Sequence, residues 1–249
     1  AHIACLTFVE NKDLVKGNPY LDEVILYDKK GSENTLWGNL KFSRVLASKG
    51  FDAVVHLHAT NRMHLTSWLA RIPHRIGWKR KSAWCLTHAY PDVKKEGRRH
   101  EAEYNFVLFK ELGIEAPDLR SLELHLPLDP KAGRSLEKLF FHLGIAQDRP
   151  RIILHPSASC PSKRWPAASF KNLLRQLSNK YDADFFFIGT AIDRPLIQSV
   201  IRESAANGYD LSGRLNLAML AHLLKQSSLL ISNDSGPVHM AAALGVPVV

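Results

Sequence analysis

From residue 151 onward, short apolar runs alternate with longer stretches of helical period, and this rhythm constrains the fold more than any other feature. RIILHPS, DFFFIGT and SLLISND read as strands; the stretches near 167–180, 194–204 and 217–226 read as helices, and a last helix runs from Pro237 to Leu244. A short YDLSG segment stands between the second and third helices. Strands joined by helices run parallel, and their unbroken apolar character predicts burial on both faces. The first half repeats the rhythm less clearly. HIACLTFV, EVILYD and DAVVHLH read as strands, with helices from about Leu36 to Lys49 and from Met63 to Ala70. Between the halves, HLPLDPKAG marks a linker near 126–133 through its two prolines and its glycine. The reading is α/β: two doubly wound domains facing a cleft, 1–128 and 129–249.

Composition enters by exclusion. The 249 residues are 45% hydrophobic and 23% charged, enough to bury a sizeable core. No apolar run reaches the roughly 18 residues of a membrane span, and AHIACLTFVE lacks the basic region and cleavage site of a secretory signal. Cys5, Cys85 and Cys160 are odd in number and include no CxxC pair, which argues against a disulfide framework or a thiolate zinc site and favours a reducing cytoplasm. The twelve histidines contain no HExxH, and His56-Leu57-His58 reads as a strand end. No bound metal and no cofactor are expected. Residue 1 enters almost directly into a strand and GVPVV reads as a strand just begun, so both ends are expected to be cut from a longer chain.

Residues 71–100 hold nine Lys or Arg against Asp92 and Glu96, which is +7 of the formal +9. Such a stretch attracts an anionic partner, whether nucleic acid, a membrane surface or a phosphorylated acceptor; it is equally compatible with a solvated loop and helix face.

Two segments carry chemistry. In LLISNDSGPVHMAAALGVPVV an apolar strand runs through Asn233-Asp234-Ser235-Gly236 into a helix opened by Pro237. Proline there gives up only an amide that would lack a partner, and the remaining first-turn amides suit an anion such as a diphosphate. Gly236 admits close backbone approach, Ser235 offers a hydroxyl, His239 lies within reach, and Asp234 suits a helix cap or sugar hydroxyls better than phosphate. In IILHPSASCPSKRWPAASFKNLL a strand ends at His155-Pro156 and a serine-rich loop leads to Lys163-Arg164-Trp165-Pro166. Ser157 and Ser159 can donate to phosphate oxygens, and Lys163 places a cation beside a departing diphosphate. Each segment also admits a purely structural reading, as a capped strand-to-helix turn or a serine-proline turn with solvated cations. Two such loops at the ends of parallel strands say more than either alone, because open α/β sheets bind ligands at that edge. The absence of G-x-G-x-x-G, of a P-loop and of G-x-S-x-G weighs against a dehydrogenase, a P-loop NTPase and a serine hydrolase.

NDSGPVHMAAALGVPVV and HPSAS..SKRWP resemble the two signature segments of the lipopolysaccharide heptosyltransferases, glycosyltransferase family 9, and weaker similarity runs through NPYLDEVILYD, FDAVVHLH and ARIPHRIGW. The resemblance implies a GT-B architecture of two Rossmann-like domains, an N-terminal acceptor side and a C-terminal nucleotide-sugar side. It implies catalytic roles for Lys163 and Asp234, with Ser157, Ser159, Lys163, Asp234, Ser235, Gly236 and His239 holding donor phosphate and sugar, and Ser212 and Gly213 near the nucleoside. The family's usual base is an aspartate in a Gly-Asp loop after the first strand; this sequence starts past that loop, so the base is expected upstream of residue 1.

The implied reaction is an inverting transfer of heptose from ADP-heptose to the lipopolysaccharide inner core, in the cytoplasm and in peripheral contact with the inner membrane. Helix-end amides and Lys163 would replace a general acid, and no divalent ion is required. Asp182-Ala183-Asp184 reads as a turn with solvated carboxylates. Arg75, Lys79 and Arg80 are expected to face the acceptor. The rivals are a GT-B transferase using a UDP-sugar and a non-catalytic basic protein binding nucleic acid, the latter weakened by the lack of an interleaved aromatic and basic motif.

Overall fold

A computed structural model describes residues 1–145, 149–158 and 160–249, with the backbone alone at Ser32. The chain divides into two compact units, one formed by Ala1–Ile25 with Glu123–Val249 and the other by Leu26–Leu122. The single division expected after residue 128 therefore differs from the observed one at both ends. Residues 1–25 join the C-terminal unit, where Leu14 packs against its hydrophobic core.

The chain opens with β1 (Ala4–Phe8), α1 (Lys12–Val15) and β2 (Glu23–Tyr27), and the two strands pair as a small sheet. Unit Leu26–Leu122 then runs α2 (Leu36–Ser48), β3 (Ala53–His56), α3 (Asn61–Leu69), β4 (His74–Trp78), β5 (His88–Tyr90) and α4 (Glu101–Phe109). Its three strands lie parallel in the order β3-β4-β5, registered through Val55↔Ile76 and Ile76↔His88. Ile76, Trp78, Tyr104 and Leu108 form a core between β4 and α4. The strand β4 was not legible, because HRIGW is neither apolar nor alternating. Gly77 sits there because a Cβ would come within 3.1 Å of the His56 Cβ and 3.2 Å of Leu86. His56 itself is buried, with Nε2 3.0 Å from Ser67 Oγ, and burial with the neighbouring His64 lowers its pKa to about 4.

The other unit continues with α5 (Pro130–His142), β6 (Arg151–His155), α6 (Ala167–Lys180), β7 (Asp184–Phe187), α7 (Arg194–Ser204), β8 (Tyr209–Asp210), α8 (Leu217–Lys225), β9 (Leu229–Ser232) and α9 (Gly236–Ala243). The linker expected at 126–133 is half helix. Asp129 caps α5 by accepting from Lys131 N at 2.9 Å, Pro130 takes the first position, and Gly133 is needed because His222 would stand 3.0 Å from a Cβ. A proline and a glycine that look like punctuation here serve helix initiation and close packing. Asp184, expected in a solvated turn, instead opens β7 and is 5% exposed beside Arg149, while Asp182 stays exposed.

The sheet is parallel in the order β8-β7-β6-β9. Beyond β9 the chain end adds a rung, Leu230↔Val248. Phe140, Ile153, Phe186 and Leu224 fill one face and Leu154, Phe170, Leu174 and Phe187 the other, the two-sided burial that the apolar runs predicted.

Candidate functional site

Strand order locates the site. From β6 the chain winds outward through β7 and β8, then crosses back to lay β9 on the opposite side of β6. The winding reverses between β6 and β9, and the loops leaving their C-terminal ends diverge there, opening a crevice. These are the two segments singled out by sequence, and the register His155↔Ser232 brings them side by side.

The loops are bound to each other by polar contacts. Asn233, 7% exposed, spans the serine-rich loop: its Nδ2 donates to Pro156 O at 2.8 Å and its Oδ1 accepts from Trp165 N at 2.9 Å. Arg164 Nε closes the same loop onto Ala158 O at 2.9 Å, and Trp165 rests edge-on against Phe170 of α6. His155 Nδ1 lies 3.0 Å from Ser235 Oγ and 3.2 Å from Ser232 Oγ, while both hydroxyls donate to Asn233 O. Burial pushes the His155 pKa down against the pull of Asp193, so the ring stays neutral.

Above this buried layer, Lys163 Nζ meets Asp234 Oδ2 at 2.5 Å, with the side chains 51% and 64% exposed. Their hydrogen bond and mutual attraction raise the lysine pKa and lower the aspartate, so both are charged across the neutral range. Asp234 thus partners a cation rather than capping α9, and the residue at the cap position, Ser235, turns its hydroxyl to Asn233 and His155 instead. Among the described residues, no acceptor meets the N–H groups of Asp234, Ser235 or Gly236, which leaves these donors to a ligand or to water. His239 is exposed in the first turn of α9, near enough to Asp234 to help lower its carboxyl.

Ser157 is buried at 6% and its hydroxyl meets no partner at hydrogen-bond geometry. It nevertheless lies close enough to Asp193 to favour the ionised carboxylate. Burial raises that carboxyl, but Thr190, Ser157 and His155 together outweigh burial and hold it below its ordinary value. Ser159 lies outside the described residues. At the end of β8, Ser212 is fully buried with its hydroxyl committed to Asp210 Oδ1 at 2.5 Å, so its side chain offers nothing to a ligand. Gly213 is exposed, donates its N–H to Gly189 O at 2.9 Å, and adopts φ +69°, where a Cβ would also strike Ala191 at 2.9 Å. Asn233, His155, Arg164 and Asp193 had no site role from sequence. The first three stand inside the quoted segments, but their partners are distant or only revealed by the loop's path.

The basic stretch in unit Leu26–Leu122 does not form one patch. Arg75 lies near the start of β4, and its guanidinium donates to the carbonyls of Cys85 (2.6 Å), Ile72 and Pro73. Lys79 and Arg80 follow the far end of that strand, roughly 13 Å along at about 3.3 Å per residue. Arg80 pairs with Asp92 at 3.0 Å, Lys94 with Glu101, and Arg98 with Glu96 at 3.6 Å. Lys79 is exposed, with no side-chain partner among the described residues. Arg75 is therefore not placed beside the other two.

With this geometry in view, comparison with known proteins is informative. The profile of glycosyltransferase family 9 (heptosyltransferase) matches residues 39–249. A lipooligosaccharide heptosyltransferase 2 from Haemophilus influenzae is 28% identical over 209 residues, covering 80% of this chain and 59% of that protein. The chain thus spans well under two thirds of that relative's length. A family 9 glycosyl transferase structure from Veillonella parvula superposes with a TM-score of 0.86 at 26% identity, over 99% of this chain and 70% of that one. The Escherichia coli ADP-heptose lps heptosyltransferase II superposes with a TM-score of 0.77 at 22% identity, over 100% and 74%. The fold is the GT-B type, built from two Rossmann-like units.

Proposed function

The chain belongs to glycosyltransferase family 9, and from that membership we propose that it transfers a heptose from ADP-heptose to the inner core of lipopolysaccharide, with inversion and without a metal ion. The observation that carries the reading is the meeting of two loops at the β6–β9 edge, where Lys163, the amides of 234–236 and the buried Ser157 converge on one crevice. These are donors without a fixed internal acceptor, or with one that is easily exchanged, and a diphosphate is the ligand they suit.

Charge makes the mechanism. When the bond between the anomeric carbon and the diphosphate breaks, negative charge grows on the leaving oxygens while the sugar becomes cationic. Lys163 and the positive end of α9 stabilise the departing diphosphate in place of a general acid. An exposed ion pair such as Lys163 with Asp234 adds little to folding and is screened by salt, so the lysine can turn to phosphate at small cost. Asp234, released, sits where it can accept from sugar hydroxyls or steady the cationic sugar. Asp193 at the start of α7, fixed by Thr190 N and Oγ1 at 2.7 Å each, borders the same edge. Gly213 approaches the nucleoside through backbone alone. The acceptor side falls to unit Leu26–Leu122, with Lys79 available to a phosphorylated core, Arg80 half-exposed but paired with Asp92, and Arg75 held by the backbone. The setting is the cytoplasmic face of the inner membrane.

Calorimetry with ADP and UDP, followed by transfer assays with the matching sugar nucleotides, tests the reading. ADP binds and UDP does not, and ADP-heptose is consumed only with a core acceptor. Tighter binding of UDP would move the protein to another GT-B chemistry, and no binding of either nucleotide would remove the proposed role of the β6–β9 edge.

A further inference from the structure

From Ala53 to Pro91 the sequence contains no Asp or Glu, yet it holds Arg62, Arg71, Arg75, Lys79, Arg80 and Lys81. This stretch is β3, α3, β4, the turn after it and β5, so one continuous part of unit Leu26–Leu122 carries cations without internal compensation. The nearest acids flank it. Asp92 holds Arg80, and Glu111 meets His88 and Tyr90.

The same part exposes large apolar side chains. Leu65, Trp68 and Leu69 share one face of α3 at the i, i+3, i+4 spacing and are 37%, 43% and 37% exposed. Trp84, 70% exposed, closes on Trp68 edge to face at 5.6 Å. Beside them a cavity of about 500 Å³ is lined by Trp68, Leu69, Arg71 and Arg75. Leaving two tryptophans and two leucines in water forgoes hydrophobic stabilisation, and a patch of this kind marks a contact surface.

We infer that this Trp68–Trp84 face docks on an anionic lipid bilayer. Amphipathic indole rings settle at the headgroup level, aliphatic side chains reach the acyl boundary, and each nearby Lys or Arg gains from the negative surface potential. Charge complementarity separates this partner from the others. A second copy meeting the patch by two-fold symmetry would bring Arg71 and Arg75 towards the same cations of its partner, which repels. A single-stranded nucleic acid would use stacking faces, but here the two rings are turned against each other and edged with leucines that no base requires. The inference deepens the membrane-side part of the proposed function and does not depend on the β6–β9 edge.

The test is co-sedimentation of the full protein with vesicles of phosphatidylethanolamine and phosphatidylglycerol, and with vesicles of phosphatidylcholine alone. Binding is expected to the anionic vesicles and at least about tenfold weaker to the neutral ones, from several cations at about fivefold each. Trp84→Ser, at a site too exposed to unfold the chain, weakens anionic binding by about tenfold through loss of buried apolar area. Arg71→Glu weakens it by roughly 25-fold, two charge units at about fivefold each. Equal binding to both vesicles, or unchanged binding of both variants, would overturn the inference. So would a dimer that Trp84→Ser dissolves, or an oligonucleotide bound in preference to vesicles. ADP affinity is measured on the same samples: its absence in the parent protein defeats the donor reading and leaves the vesicle result intact.

Discussion

The β6–β9 edge and the far end of β4 are both C-terminal edges of parallel strands, and both were marked by sequence as places for anions. They differ in what their polar groups already do. At β6–β9 the buried His155 and Asn233 and the half-buried Ser232 and Ser235 bond to one another and to the serine-rich loop, which leaves Lys163 and the first amides of α9 facing outward. Around β4 the cations are spread along the strand, and several are committed to carbonyls or carboxylates. A site needs a rigid inner layer that frees an outer one. A charge run supplies field without geometry, which suits a surface contact better than a pocket.

The sharpest test of that contrast is Lys163→Ala. It removes a cation from an organised edge, and kcat/KM should fall by about 10²–10³ with melting unchanged, as for loss of one charge-stabilising donor. A fall below tenfold would place the transition-state charge elsewhere.

Next in size is Asn233→Ala. It leaves the Pro156 carbonyl and the Trp165 amide without their partner, at about 1–3 kcal/mol for each buried group, so melting temperature drops and ADP affinity drops with it. Asn233→Asp keeps the acceptor for Trp165 but turns a buried carboxylate oxygen on the Pro156 carbonyl, so it should cost at least as much as Ala. If both variants melt and bind like the parent, the inner layer is not what holds the loops.

The smallest effect divides the basic stretch itself. Arg75→Ala should lower stability by about 1–3 kcal/mol, since three carbonyls lose a charged donor, and should leave the acceptor Michaelis constant alone. Lys79→Ala should leave stability alone and raise that constant a few-fold. The reverse pattern would mean that the position of Arg75 along β4 does not separate it from the acceptor.

Much of the fold was legible. The helices 167–180 and 194–204 fall where the periodicity placed them, and so do the strands at 151–155, 184–187 and 229–232. Amphipathic period and unbroken apolar runs are local signals, and here they agree with burial. The strand His74–Trp78 was not legible, because its place in the sheet is secured by neighbours on β3 and β5 and not by its own residues. The helix Pro130–His142 was hidden for the opposite reason. Its cap, its first proline and its packing glycine are good local signals that also spell a linker. Of the site, Lys163, Asp234, Ser235, Gly236 and Ser157 were visible as residue types in loops after strands.

The sequence by itself determined the α/β rhythm, the two loops and the excess of positive charge, since each depends on residues within one short stretch. Only the tertiary structure decided that β9 lies against β6, that Asn233 reaches back 77 residues to Pro156, that Ser212 is spent on Asp210, and that Arg75 and Lys79 stand at opposite ends of a strand. Strand order and side-chain pairing across a sheet are properties of the packed whole, because a parallel crossover can return the chain to either side, and the choice is made by which faces must be buried together.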